Sequence, residues 1–250
     1  MKSGIAEDIK KYKKGGVHFD IIQIGAHTGF DYSDPIADGL GKLLLEWGGK
    51  KYAEWFFVEP SPSNFYQLEK NLKLYSKICP MKAINTAVVP DNIDPEEKKD
   101  LIFYSFKKSI DPITGYDTIS GKTFPSWVTQ ISSFNKETAL SPWRVFRRKG
   151  LNINDYIVET KVEPKTYTDL MNGILVTKKT KRLNPLLVLI DTEGFDCSII
   201  EGISLQNSFW PKYLIFENHC KYENTLTHLE KVGYEIKGNC DGGNYVAVKN

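Results

Sequence analysis

The stretch Asp20-Ile21-Ile22-Gln23-Ile24-Gly25-Ala26-His27-Thr28-Gly29 decides how this chain is read. An apolar run suited to a strand covered on both faces stops at two glycines four positions apart. In open parallel sheets ligands sit beyond the carboxyl ends of the strands, where the winding reverses and a glycine turn lets backbone N–H groups approach them closely. Similar runs recur at VHFDIIQI (17–24), AEWFFVE (53–59), KAINTAVV (82–89), LLVLID (186–191) and KYLIFE (212–217). Helical patterns lie between them. The clearest covers 62–75, with Phe65, Leu68, Leu72 and Tyr75 on one stripe and Ser61 placed to cap it. Weaker patterns cover 34–47, 166–172, 196–202 and 222–232.

Strand and helix alternating in this way predict an α/β fold with right-handed crossovers, a mostly parallel sheet and helices on both faces. The C-terminal YEIKGNCDGGNYVAVKN has two strand-like runs around Asp241-Gly242-Gly243, so an antiparallel pair is expected to close one edge. The interval 90–165 breaks the alternation. It holds IFYSF (102–106), a Ser/Thr-rich stretch with Trp127, and the arginines of SPWRVFRRKG, and it reads as an irregular insertion on the substrate side.

Composition narrows the classes. At 250 residues and 41% hydrophobic the chain suits a single large domain, 1–250, with 1–16 as an N-terminal helix or linker. Its 33 basic and 31 acidic residues give a net charge of +2 without a charged tail, so nucleic acid is not demanded. Cys79, Cys197, Cys220 and Cys240 form no C-x-x-C pair and read as reduced thiols, which points to the cytoplasm. No run approaches the roughly 20 apolar residues of a membrane span, and MKSGIAEDIKKYKKGG lacks the apolar core of a signal peptide.

The turn itself argues about cofactor chemistry. A dinucleotide fold would show G-x-G-x-x-G, whereas this chain has G-A-H-T-G with Asp31 and Asp34 close behind, a poor cradle for phosphate. A cofactor without phosphate suits it better. Glu59 ends the second strand and is held at the rim by Pro60, where a carboxylate can accept ribose hydroxyls of an adenosine. Two other classes stay open: a Rossmann dehydrogenase or other nucleotide-cofactor enzyme, and a binding domain that transfers nothing.

IIQIGAHTG, FFVEPSPSNFYQLEKNL, INTAVV, SSF, VEPKTYTDLM, LVLIDTEGFDCSIIEG and PKYLIFENH, in this order from about 18 to 236, resemble the FkbM-like family of S-adenosylmethionine-dependent methyltransferases. The most specific element is VEPSPSNF coupled to IDTEGFDCSIIEG. The resemblance implies the Rossmann-like methyltransferase fold, a seven-stranded sheet with one reversed edge strand, and O-methyl transfer, commonly to a sugar or a polyketide hydroxyl, of which a sugar or glycan is the expected acceptor. Gln23, His27 and Asp196 depart from the family's usual residues. The cofactor surface is then expected from Gln23, Gly25, Ala26, His27, Thr28 and Gly29, from Glu59, Pro60 and Ser61, from Thr86 and Ala87, and from Asp191.

Methyl transfer to oxygen is an in-line displacement that needs alignment and one proton acceptor. Asp191, Glu193, Glu217 and His219 follow two strands expected to be neighbours, with His219 as the base and Asp191 positioning the cofactor or acceptor. Asp191, Glu217 and His219 could also hold a divalent metal such as Mg²⁺. Ser132, Ser133 and Trp127 are the expected substrate contacts, and Arg144, Arg147 and Arg148 could meet an anionic acceptor such as a nucleotide sugar. A module within a longer glycan-building polypeptide is consistent with these features.

Overall fold

The structure is a computed structural model that describes residues 2–29, 35–99, 101–178, 181–217, 223–240 and 244–249. The chain begins with α1 (Lys2–Gly15), β1 (Phe19–Ile24), α2 (Pro35–Trp47), α3 (Gly49–Tyr52), β2 (Ala53–Val58), α4 (Pro62–Leu74), β3 (Met81–Ile84) and β4 (Val88–Val89). The insertion follows, with α5 (Pro95–Lys99), β5 (Ile102–Phe106), α6 (Lys136–Leu140), α7 (Trp143–Arg148) and β6 (Ile157–Lys161). After β7 (Lys165–Thr166) come α8 (Tyr167–Thr177), β8 (Pro185–Ile190), α9 (Asp196–Gly202), β9 (Tyr213–Glu217), α10 (Glu223–Val232), β10 (Tyr234–Cys240) and β11 (Asn244–Lys249).

Seven strands form the main sheet in the order β10-β11-β9-β8-β1-β2-β3. From β9 to β3 neighbouring strands are parallel, and β11 runs against both β9 and β10. This is the Rossmann-like order, with crossovers leaving β1 in both directions. The antiparallel pair expected from the C-terminal sequence closes the edge, and its reversed member lies one place in from the rim. The Asp241-Gly242-Gly243 turn and His219 lie outside the described residues.

Both faces of the sheet are covered, as the unbroken apolar runs require. Every residue of β1 is buried. One core packs α1, α2 and α4 on one face through Ile5, Leu44, Trp55, Phe57 and Leu68. The other packs α8, α9 and α10 through Phe56, Tyr167, Ile199, Phe216 and Leu229. Of the segment 1–16, Lys2–Gly15 is a helix anchored by Ile5 and Ile9, and Tyr213 reaches it by donating to Asp8 at 2.6 Å. At the strand starts Lys178 pairs with Asp20, both buried, and sits 3.4 Å from the partly buried Glu54.

Three sequence expectations change. KAINTAVV is two strands, because the chain leaves the sheet after Ile84; the Asn85 amide donates to the Glu59 carbonyl at 2.8 Å, and β4 pairs with β7 instead. Ser61 does not cap α4 with its side chain, since its hydroxyl bonds Ser63 at 3.1 Å. The cysteines are not four reduced thiols: Cys197 is disulfide-bonded. Cys79 is a free thiol whose pKa burial pushes up to about 12, which makes it inert.

Where β1 meets β8 the fit is tightest. Gly25 has φ +81°, and a Cβ there would lie 1.6 Å from the Asp191 carbonyl oxygen. Gly29 has φ +78° and faces the Leu68 side chain at 2.8 Å, a partner that can swing aside. Gly29→Ala should therefore cost about 1–3 kcal/mol, the usual penalty for a strained backbone. Gly25→Ala meets main chain that cannot move and should cost more, so that thermal melting separates the two variants in that order.

Candidate functional site

A cavity of about 290 Å³ opens at the carboxyl ends of β1, β2 and β8, at the lower end of the size range for small-molecule sites. Most of the residues expected at a cofactor meet here. Gln23, Gly25, Ala26, His27 and Gly29 line it from β1 and its turn, Glu59 and Pro60 from the end of β2, and Thr86 and Ala87 from the break after β3. Asp191, Thr192 and Glu193 line it from the end of β8. Thr28 and Ser61 stand behind this surface, buried and outside the lining.

Glu59 is almost fully buried, and its carboxylate is clamped by main chain. One oxygen accepts from the His27 N–H at 2.8 Å and the other from the Ser61 N–H at 2.8 Å. Burial pushes its pKa up to about 7, against the pull of these two N–H groups and the Asn64 side chain. A carboxylate has about four lone-pair sites, so the clamp leaves capacity for a ligand hydroxyl.

The donors of the glycine turn are committed elsewhere. The Gly25 and Ala26 N–H groups both donate to the Val58 carbonyl, at 3.0 and 2.9 Å, and Gly29 N–H donates to Ala26 at 2.7 Å. The expectation that this turn offers backbone N–H groups to a ligand is corrected accordingly: it presents side chains and Glu59.

His27, at φ +47°, joins this turn to the insertion. Its Nε2 lies 3.1 Å from the Thr129 hydroxyl, which itself donates to the Ser126 carbonyl at 3.1 Å. Having one proton, that hydroxyl must accept from His27, so the network assigns the hydrogen to Nε2. Asn64 adds a bond to the Thr129 carbonyl at 3.2 Å.

Past β8 the acidic residues gather. Among the described residues, carboxylate oxygens of Asp191, Glu193 and Glu217 all lie within 4.8 Å of one another. Behind them Asp196 is buried and accepts from the Thr192 N–H at 3.2 Å and the Thr192 hydroxyl at 3.1 Å. Burial, aided by the nearby Glu217, raises its pKa to about 6. His219, expected in this group, lies outside the described residues.

The insertion supplies the remaining wall. Gln130, Ser132, Phe134 and Phe103 line the cavity, and Phe134 packs on Phe103 at 5.4 Å and on Phe195 at 5.3 Å. Sequence reasoning did not name these phenylalanines or Gln130 as site residues, although Phe103 lies in the IFYSF run that forms β5 and Phe134 in the SSF motif. The two serines expected at the substrate have different situations. Ser133 donates to the Glu193 carbonyl at 3.0 Å and accepts from the Asn135 N–H at 3.1 Å, so its hydroxyl is occupied within the protein. Ser132 is 8% exposed, lines the cavity, and its hydroxyl has no hydrogen-bond partner among the described residues. Trp127 is 43% exposed and lies outside the lining, and Arg144 and Arg147 stack on the exposed Trp143 instead.

No protein-family model and no curated protein matches the chain. Among solved structures it is similar to a precorrin-6y C5,15-methyltransferase from Geobacter metallireducens, at 9% identity and a TM-score of 0.39, over 97% of this chain and 88% of that one. A likeness this slight carries nothing about activity.

Two stability measurements test this geometry. Glu59 is harder to ionise folded than unfolded, so its contribution is fully present below pH 4.5 and is lost as the pH rises through 7. The shift corresponds to about 3 kcal/mol. Asp196 acts in the same sense between 3.8 and about 6, so melting curves between pH 6 and 7 isolate Glu59, and Glu59→Gln should flatten that part of the profile. Ser133→Ala should destabilise by about 1–3 kcal/mol, whereas Ser132→Ala, which removes an unpartnered hydroxyl, should leave the melting temperature unchanged or slightly raised.

Proposed function

We propose that this chain is an S-adenosylmethionine-dependent O-methyltransferase whose acceptor is a hydroxyl of a sugar or glycan, free or carried by a nucleotide. The observation that supports it most is the meeting of the Gly25 turn, the Glu59 carboxylate and the acidic end of β8 on one cavity. The residues fit that cofactor. Glu59 has hydrogen-bond capacity for a ribose hydroxyl, the turn has no free phosphate cradle, and the Ser132 hydroxyl awaits a partner.

When bound, the cofactor supplies a methyl group on a positively charged sulfonium. Glu59 would hold its ribose, and Thr86 and Ala87 would flank the base beyond the β3 break. Asp191, Glu193 and Glu217 favour positive charge at the other end, close to where the acceptor hydroxyl must approach. Ser132 and the Phe134 wall would orient the acceptor, since a sugar offers both hydroxyls and an apolar face. In this reading His219, two residues beyond Glu217, takes the acceptor's proton.

A second reading is favoured by the 4.8 Å grouping of three carboxylates, which suits a divalent cation such as Mg²⁺ orienting two neighbouring hydroxyls. Turnover unaffected by a chelator would eliminate it.

Calorimetric titration with S-adenosylhomocysteine and with NAD separates the cofactor classes. Hydroxyl donors prefer the ionised Glu59, so affinity for S-adenosylhomocysteine should be about tenfold lower at pH 6 than at pH 8. Glu59→Ala should weaken it by at least about tenfold at pH 8. Binding of NAD alone would replace this reading with a dehydrogenase, and binding without methyl transfer to any hydroxylated acceptor would leave a non-catalytic domain.

A further inference from the structure

The end of the sheet opposite the cavity carries a surface that methyl transfer does not use. Four neighbouring strands, β3, β2, β1 and β8, are parallel, so the segments that enter them all turn at this end. Each brings the same two chemistries. Before β1 the exposed Lys13 and Lys14 accompany Val17, 41% exposed. Before β2 the exposed Lys50 and Lys51 accompany Leu45, 57% exposed. Before β3 the exposed Lys73 and Lys77 flank Leu74, 77% exposed. Before β8 the exposed Lys181 and Arg182 follow Val176, 83% exposed.

Against these pairs of cations, the described residues of the four stretches 13–18, 45–52, 73–78 and 176–184 hold one carboxylate, Glu46. The carboxylates at the strand starts are engaged, Asp20 with Lys178, and Glu54 with Lys178 and with Lys82 at 2.8 Å. Four adjacent strands span about 15 Å, so the cations stand within one or two screening lengths of each other and act together on any flat anionic surface.

We propose that this end of the molecule docks on the surface of an anionic lipid bilayer. Lysines near such a surface each contribute about 1 kcal/mol of attraction, and short aliphatic side chains gain by entering the headgroup boundary. A nucleic acid would use the cations through its phosphates but offers little to Leu74 and Val176. The interleaving of charge and exposed aliphatic side chains therefore favours lipid. Docked in this way, the chain holds its cavity mouth facing away from the bilayer, roughly 20 Å off for strands of six residues. Among the described residues no helix is long and apolar enough to cross a membrane, so the attachment is peripheral and reversible. The inference is independent of the methyltransferase reading.

Co-sedimentation with vesicles tests it, using phosphatidylcholine alone and phosphatidylcholine with about one third phosphatidylserine. The full chain should pellet with the serine-containing vesicles only, and high salt should release it. Lys50→Glu combined with Lys51→Glu should lower the partition at least about tenfold. Leu74→Ser combined with Val176→Ser should lower it severalfold while leaving any binding to a duplex RNA unchanged. All four positions are exposed, so melting curves should match the parent chain. Equal pelleting with phosphatidylcholine alone, no pelleting at all, or RNA binding with vesicle binding indifferent to the Leu74 and Val176 changes would each overturn the proposal.

Discussion

The main chain of Gly25 and that of Asp191 approach so closely that no side chain fits between them, and this contact sets the geometry of everything above the sheet. It brings the ends of β1 and β8 together, and the Gly25 and Ala26 N–H groups then secure β1 to the last carbonyl of β2. Three strand ends are fixed by main chain alone. A phosphate-binding turn leaves such N–H groups pointing at its ligand. Here they are spent on holding strands, which leaves the Glu59, Asp191 and Glu193 side chains on the cavity wall. That is a stronger physical reason against a dinucleotide than the missing third glycine, and only coordinates could supply it.

His27 extends the constraint outward. Its N–H fixes Glu59 while its ring reaches Thr129, so the residue that sets the buried carboxylate also sets where the insertion begins to cover the cavity. Ser133 closes the arrangement from the other side by reaching the Glu193 carbonyl and by pairing with Tyr104 through both its N–H and C=O. The stretch from Gln130 to Phe134 is pinned at both ends, with the Ser132 hydroxyl facing the cavity between the two anchors.

Much of the fold was legible because burial on both faces leaves an unambiguous mark. The runs around Ile21, Phe56, Val188 and Ile215 could only be central strands, and the stripe from Phe65 to Leu72 could only be a helix lying on them. Local hydrogen bonding was less visible. The break after Ile84 goes with the Asn85 amide reaching the Glu59 carbonyl, and the failure of Ser61 to cap α4 goes with its hydroxyl bonding Ser63. Of the candidate site, residues at strand ends were readable, since topology brings them together whatever surrounds them. Phe103, Gln130 and Phe134 were not, because their place depends on how the insertion, including its strand β5, folds back over the sheet. Cys197 shows the limit of spacing arguments, since a disulfide needs proximity in space and the sequence distances gave no sign of it.

The insertion is built around aromatic packing of its own, in which Phe106, Phe124, Phe146 and Tyr156 surround Ile110, Val128 and Ile153 apart from both cores of the sheet. Its internal cohesion therefore owes little to the strands beneath it. Such an arrangement behaves as a cartridge, coherent in itself and joined to the cavity by a few bonds, among them His27 with Thr129 and Ser133 with Glu193.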